Sequence, residues 1–559
     1  MKWINKLINK ARLSIIFFTI IQVLIGFYVS SCSEDVLDKS PRSAFSDADV
    51  WQDEALIKAY INNTYRIVPN GWVNPGLRLA GVTDESYSRG GAADYINAGN
   101  ISPASLGDLD FWTRDTPFNY WAVIEKCNVF LNNIGKSKLT NNALQDRMIG
   151  EMKFLRAYSY FRLVAFHGGV PLFSKPFSLT DELNLPRSSY DECMNFVVKE
   201  LDESVNLLPL EYSPAELGKI TKGAALSIKS RVLLYMASPL NNPSNDQAKW
   251  QAAADAAKTV IDLNKYSLYP DYKGLFQKVN SYNSEIIWSR PFNTPLDYET
   301  AYAELCLFPN SYDGYGQVGA LVNLIDDYEM LSGRLPKDDP TYNPQNPWVN
   351  RDPRFYASIL YDGAMFQGKP VETFLPKGKD SPEGTRSPHN ASPTGIYVRK
   401  FIDESITKVR SMQTNNSNAP WIFVRYAEIL LNYAEAKYFL GDEVTCREYI
   451  NKIRSRSGVN MPLVVESGPA LLARLQNERR IELVFEEHRW FDVRRWKIAP
   501  VVLNVPGKRM QIIKNLTTGI KTYTVVEFNP RAFSDKDYLV PIPQVEIDRN
   551  PLLTQNPGH

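Results

Sequence analysis

Apolar side chains recur along much of this chain at intervals of three and four, the spacing that lines one face of an α-helix. Phe154, Ala157, Tyr158, Phe161 and Ala165 form one such face, and Gly168-Gly169 followed by Pro171 ends it. Ala225, Ile228, Val232, Tyr235 and Met236 form a second face before Pro239, and an alanine-rich run at 246–262 predicts a third helix. Ala427, Leu430, Leu431, Ala434 and Tyr438 make a further face that Gly441 closes. Its partner carries Cys446, Tyr449, Ile450 and Ile453 and ends near Gly458. Two short helices joined by a glycine-containing turn, with alanines where they cross, predict a tetratricopeptide-type hairpin.

The pattern changes at 265–419 and again at 500–559, where Pro, Asn, Gly, Asp and Tyr dominate. Only short β-like runs such as 285–288 and 523–526 interrupt the turn chemistry there. Long irregular loops in a compact protein are usually functional or disordered, and the aromatics in this region favour function. The predicted organisation is a helical scaffold at 47–264 and a loop-rich insert at 265–419. A last helical hairpin with a charged helix follows at 420–499, then an irregular C-terminal segment at 500–559. The fold class expected is mainly α.

The first residues read as an address. Lys2, Lys6, Lys10 and Arg12 precede an apolar stretch at 13–29, followed by Ser30, Ser31 and Cys32. A charged start, an apolar segment and small residues describe a secretory signal, residues 1–31, and a signal-anchor helix is the alternative. Val29-Ser30-Ser31-Cys32 resembles a bacterial lipobox, which implies that Cys32 becomes the acylated first residue of a tether at 32–46. Acyl chains at about 0.8 kcal/mol per buried CH₂ would hold such a protein on a membrane. Ser33-Glu34-Asp35 resembles the acidic export tag of surface lipoproteins in the Bacteroidetes.

Charge narrows the function classes. With 63 Lys plus Arg against 62 Asp plus Glu and no basic stripe, the chain lacks what neutralising a phosphate backbone requires, so no nucleic-acid partner is expected. The five cysteines form no CxxC pair, the four histidines are scattered, and no EF-hand-like loop occurs, so neither a metal nor a cofactor is predicted. GxSxG, HExxH and P-loop patterns are also missing.

The charged segment 477–496 is where an enzyme could be imagined. Glu482 and Glu486, and His488 and Asp492, stand four apart, as a catalytic carboxylate pair or a His–Asp relay would on one helix. Arg479, Arg489, Arg494 and Arg495 interleave with those acids, however, which favours ion pairs. His488 shares an apolar face with Ile481, Val484, Phe485 and Phe491 and reads as a core histidine. A surface hydrolase therefore ranks below a binding protein.

This segment, Asn477-Glu-Arg-Arg-Ile-Glu-Leu-Val-Phe-Glu-Glu-His-Arg-Trp-Phe-Asp-Val-Arg-Arg-Trp496, resembles the late helix of SusD/RagB-family lipoproteins. The ending, Pro541-Ile-Pro543-Gln544-Val-Glu546, Asn550-Pro551 and Gln555-Asn556-Pro557-Gly558, resembles theirs too. So do Thr221-Lys222-Gly223-Ala224-Ala225, residues 124–128 and Gly168-Gly-Val-Pro171. The resemblance implies four tetratricopeptide-like units with a variable region inserted before the last. It further implies a partner, a SusC-like TonB-dependent outer-membrane transporter. Members bind oligosaccharides without cleaving them, and the RagB branch is associated with peptides.

A sugar ring offers an apolar C–H face and a rim of hydroxyls, so its site needs aromatic faces beside Asp, Asn, Arg or Gln. Three stretches supply both: 83–91 with Asp84, Tyr87 and Arg89; 110–115 with Trp112 and Asp115; and 298–315 with Tyr302, Tyr312 and Tyr315. By resemblance, family glycan sites draw on loops in these regions, and a stacking tryptophan would fall at Trp112. As a surface platform, Trp112 could then be truncated with the melting temperature nearly unchanged. An Asp84–Arg89 salt bridge is the alternative for that loop, and Trp348 is a further candidate.

Overall fold

The computed structural model describes residues 47–72, 77–90, 92–112, 119–178, 180–292, 304–384, 388–406 and 419–559. The leader and Cys32, and also Tyr302 and Asp115, lie outside the described residues. Internal contacts divide the described residues into a small unit, 47–60 with 135–140, and a large one made of those from 61–134 and 141–559. In the small unit Trp51 tilts against Tyr60 with centroids 5.5 Å apart. There the Lys138 N–H donates to the Trp51 carbonyl at 3.2 Å.

The large unit is mainly α-helical. Tyr120–Asn133, Asn142–His167, Tyr190–Leu207, Lys222–Ala237 and Gln247–Asp262 follow one another, each packed on the next. Their starts are written in the sequence. Asn119, Asn141, Ser189, Thr221 and Asp246 each accept a backbone N–H of the first turn, and Ser189 with Glu192 completes a reciprocal capping box. Asn142–His167 buries residues all round, including Phe154, Tyr158 and Phe161, because neighbours cover both its sides. Ala253, Ala254 and Ala257 are buried on Gln247–Asp262, where small side chains let helices approach closely.

The helical series resumes far downstream. Tyr426–Phe439 packs against Gln247–Asp262, with the Phe439 ring stacked on Trp250 at 4.1 Å, and Glu443–Arg454 completes the hairpin. Between them the chain leaves and returns through adjacent strands, Ile286–Arg290 and Trp421–Arg425, paired antiparallel. The intervening segment contributes three strands to a small antiparallel sheet whose edge strand comes from near the start of the large unit, in the order Ser86–Ser88, Val318–Ala320, Tyr397–Val398, Ile359–Leu360. The last segment is more regular than its composition suggests. Gly507–Lys514 and Lys521–Asn529 form a two-stranded hairpin.

The charged segment is not one helix. Gly468–Glu482 stops, Phe485 and Glu487 take left-handed φ values of 63° and 64°, and Arg489–Arg495 starts anew. The bend turns the charges inward, so most of their ion pairs are tertiary. Arg425 reaches Glu285 (2.6 Å), Glu482 (2.7 Å) and Glu486 (2.8 Å). Arg354 binds Asp352 (2.8 Å), Glu478 (2.5 Å) and Glu482 (3.0 Å), and Arg456 adds a contact to Glu482 at 2.9 Å. Arg454 joins Glu329 to Glu478, and Lys400 caps Glu486 at 2.7 Å. Arg479 and Arg495 share Asp492, each at 2.8 Å. All these side chains are buried.

Candidate functional site

The carboxylates that resembled a catalytic pair are bound up in this network. Burial pushes Glu482 and Glu486 up, but the Arg456, Arg425 and Arg354 guanidiniums around the first, and Arg425 and Lys400 around the second, outweigh it and hold both below the usual range. His488 is held well below its ordinary value, first by burial and then by Arg231, Arg479, Arg425 and Arg162, so it is neutral. These groups are ion-pair partners or core, but of the interleaved arginines only Arg479 and Arg495 pair within the segment, with Asp492, while Glu482 and Glu486 take their cations from Arg354, Lys400, Arg425 and Arg456.

The first predicted stretch pairs with residues 317–320, just beyond the third, 298–315. Ser86, Tyr87 and Ser88 pair with Ala320, Gly319 and Val318, and the Arg89 N–H donates to the Gln317 carbonyl at 2.9 Å. Their predicted ligand groups, however, are largely engaged by the protein. Asp84 is buried and accepts two 2.8 Å bonds from Arg489, with Arg480 at 3.1 Å, so it is a structural anion and does not pair with Arg89. Arg89 donates to the carbonyls of His389 and Ala391, the latter at 2.6 Å. Tyr87 donates to Asp94 at 3.0 Å and lies edge-on to Phe528. Tyr312 is half-buried, donates to the Phe366 carbonyl at 2.7 Å and stands perpendicular to that ring. Tyr315 is half-buried, its N–H bonded to the Leu305 carbonyl at 2.6 Å. Trp348, also buried, stacks on Tyr361 at 5.2 Å.

Asp84 and Glu85 are adjacent, buried and shifted in opposite directions. Burial raises both, but Arg480 and Arg489 hold Asp84 well below the usual carboxylate range, while Glu85 is pushed up to about 8. A carboxyl raised in the folded state binds its proton more tightly there, so its contribution to stability falls as pH rises from the unfolded value, about 4.3, through about 8. The fall between pH 6 and 8 is on the order of 2 kcal/mol. Glu85→Gln should therefore flatten the stability profile over that window and be the more stable form at pH 8. Urea unfolding at both pH values measures this, and parallel profiles for the two proteins would refute it.

Trp112 lies elsewhere, in a cleft of about 870 Å³. Only 7% of its surface is exposed, and its ring meets Trp121 (5.1 Å) and His167 (5.2 Å) edge-on. The cleft's wider aromatic wall comes from residues whose patterns read as scaffold. Trp121 and Glu125 stand one turn apart on Tyr120–Asn133. Gly168 and Gly169 turn the chain back, and a side chain at Gly169 would strike the Ser188 carbonyl, 2.0 Å from an ideal Cβ. The returning loop lays Phe173 flat on Trp121 at 5.7 Å, fixed by the Tyr160 hydroxyl, which donates to the Phe173 carbonyl and accepts its N–H. Phe177 follows at 4.7 Å and is 38% exposed.

The opposite wall is the C-terminal segment. Arg187 ties the two together, donating to the carbonyls of Gly169, His167 and Thr554 and to the Asn556 side chain at 2.7–2.9 Å. Asn550 donates to the Leu185 carbonyl at 2.8 Å. Glu125, Asp181, Glu182, Asn184, Glu546, Arg549 and Asn550 form the polar rim. The Trp121 indole N–H has no acceptor among the described residues. His167 beneath the cleft is held down to about 4, chiefly by burial, and is neutral near pH 7. The arrangement offers flat apolar faces beside carboxylates and amides, which suits a ligand with C–H faces and hydroxyl edges.

Comparison with known proteins gives a consistent picture. A family model described as SusD family matches residues 275–559, and another, described as starch-binding associating with outer membrane, matches 35–234. SusD-like protein P25 of Formosa agariphila is 24% identical over an alignment covering 96% of this chain and 97% of that protein. The crystal structure of a SusD-like protein from Bacteroides fragilis is 30% identical, with a TM-score of 0.79, covering 93% of this chain and all of the other. A SusD-like carbohydrate-binding protein from the same species is 27% identical, with a TM-score of 0.75, covering 90% of this chain and all of the other.

Proposed function

The chain belongs to the SusD family, and on that premise we propose that it is a lipid-anchored outer-membrane protein that captures oligosaccharides and passes them, uncleaved, to a SusC-like TonB-dependent transporter. The observation that carries this reading is the aromatic wall of Trp121, Phe173 and Phe177 beside a rim of amides and carboxylates. Stacking on the rings supplies affinity without chemistry, and the rim satisfies hydroxyls that would be costly to bury unpaired. Two likenesses support it: the family matched at 35–234 is described by its outer-membrane association, and the second Bacteroides fragilis relative is named for carbohydrate binding. No described helix is long and apolar enough to cross a membrane, and Cys32 is the residue we assign to the anchor.

Gel electrophoresis through immobilised polysaccharides tests the proposal. The purified protein should be retarded by at least one glycan in a broad panel, and that glycan should show no shortened products after incubation. Shortened products would replace capture by hydrolysis. The acidic part of the rim, Glu125, Asp181, Glu182 and Glu546, favours a second reading in which the ligand is a basic peptide. Peptide retention with no retardation by any glycan would select it.

A further inference from the structure

Three adjoining clefts on another part of the large unit share one residue, Tyr282. Their volumes are about 550, 370 and 600 Å³. Asn283 lies in the first and second, Gly218, Trp288 and Ser289 in the second and third, and Pro291 and Phe292 in the first and third. The three are thus one branched groove with Tyr282 at its hub. It has no lining residue in common with the Trp112 cleft.

Most rings in this groove are committed to packing. Trp288 is buried and stacks on Phe423 at 4.0 Å, and Phe292 is buried under the Arg290 guanidinium. Tyr282 is half exposed. Its position is also fixed. Asn280 donates to the Gly274 carbonyl at 2.8 Å, Asn283 donates to the Leu275 carbonyl at 3.2 Å, and the Glu285 N–H donates to the Asn283 side chain at 2.9 Å. A ring held out on a hydrogen-bonded turn loses little conformational entropy when something stacks on it. The groove's polar lining is mixed: Asn280, Ser281, Asn283, Ser284, Thr221 and Ser289 offer hydroxyls and amides, beside charged side chains of which Lys265 pairs with Glu211 and Lys219 with Glu216.

We infer that this groove is a second carbohydrate subsite, in which Tyr282 stacks on one residue of a glycan chain whose neighbours lie along the branches. The inference rests on the glycan-binding reading above and deepens it. Hydroxyls and amides beside one exposed ring suit the hydroxyl edges and C–H faces of a sugar chain. Two separate subsites would let one long chain engage both, which raises retention of polymers over short oligosaccharides with no further contact.

The test compares a polymer with a trisaccharide of the same linkage by calorimetry. The polymer is whichever of soluble starch, laminarin and a panel of plant and host polysaccharides retards the wild-type protein. Tyr282→Ala should weaken polymer binding about tenfold, leave trisaccharide binding and melting temperature unchanged, and be rescued by Tyr282→Phe. Phe177→Ala, in the first cleft, should weaken both ligands. Polymer affinity equal to wild type in Tyr282→Ala overturns the second subsite, as does an equal loss for the trisaccharide. A wild-type protein that binds no polysaccharide overturns the glycan reading itself, and this inference with it.

Discussion

Replacing Arg425 with methionine is expected to cost about 3–5 kcal/mol of unfolding free energy, because it removes one partner of a buried ion network. Arg425 is 1% exposed and satisfies Glu285, Glu482 and Glu486 together. Without it, three buried carboxylates keep their desolvation cost and lose their common cation, although Arg456, Arg354 and Lys400 retain part of the compensation. The loss should also depend on pH. Glu482 and Glu486 titrate below their unfolded values, so their contribution is fully present above about pH 4.3 and fades as pH falls through the folded values. Urea midpoints for wild type and Arg425→Met at pH 7 and pH 4 measure both effects. A difference at pH 7 below about 1 kcal/mol would show that the arginine's own desolvation cancels its attraction.

Trp112→Ala should cost about as much, 3–5 kcal/mol, since truncating a buried tryptophan leaves a cavity between Trp121 and His167. This reverses the expectation from sequence that the melting temperature would be nearly unchanged. Phe177, which is exposed at the cleft's edge, carries the opposite expectation. Phe177→Ala should leave stability within about 0.5 kcal/mol and lower glycan affinity about tenfold, the equivalent of 1.4 kcal/mol. Thermal unfolding and calorimetry on both variants separate the roles. If Phe177→Ala binds as wild type does, the cleft is not where the sugar sits.

Helices were legible in this chain because periodicity and capping residues are local properties. Gly168, read as the stop of the 154–165 face, is the C-cap of Asn142–His167. The break in the charged segment was not legible, since Phe485 and Glu487 adopt left-handed backbone without a glycine to announce it. The tertiary bend there offsets that strain through ion pairs to residues such as Arg354 and Arg425, far away in sequence. The same distance hid Asp84's role, whose partner Arg489 stands 405 positions on.

Aromatic loops were recognisable as a class, but which rings face outward is decided by packing. Trp112 does line a cleft, yet Trp121 and Phe173, which make its wall, sat in the stretch read as helical scaffold. An aromatic pair at Phe173 and Phe177, spaced through turn residues after Gly168-Gly169-Val170-Pro171, was the available signal. Tyr282 had a comparable one, a tyrosine among Asn280, Ser281, Asn283 and Ser284 just ahead of a strand.

The strands at 286–290 and 421–425 invite treating everything between them as a cassette to be swapped among relatives. The ion network forbids a free exchange. Glu329, Arg354 and Lys400 all belong to that cassette, yet they neutralise charges rooted in the scaffold at Arg454, Glu478, Glu482 and Glu486. A chimera must import acids and bases at matching places, or its scaffold will be left with stranded charge, so the cassette can diversify only within loops that leave these three positions alone.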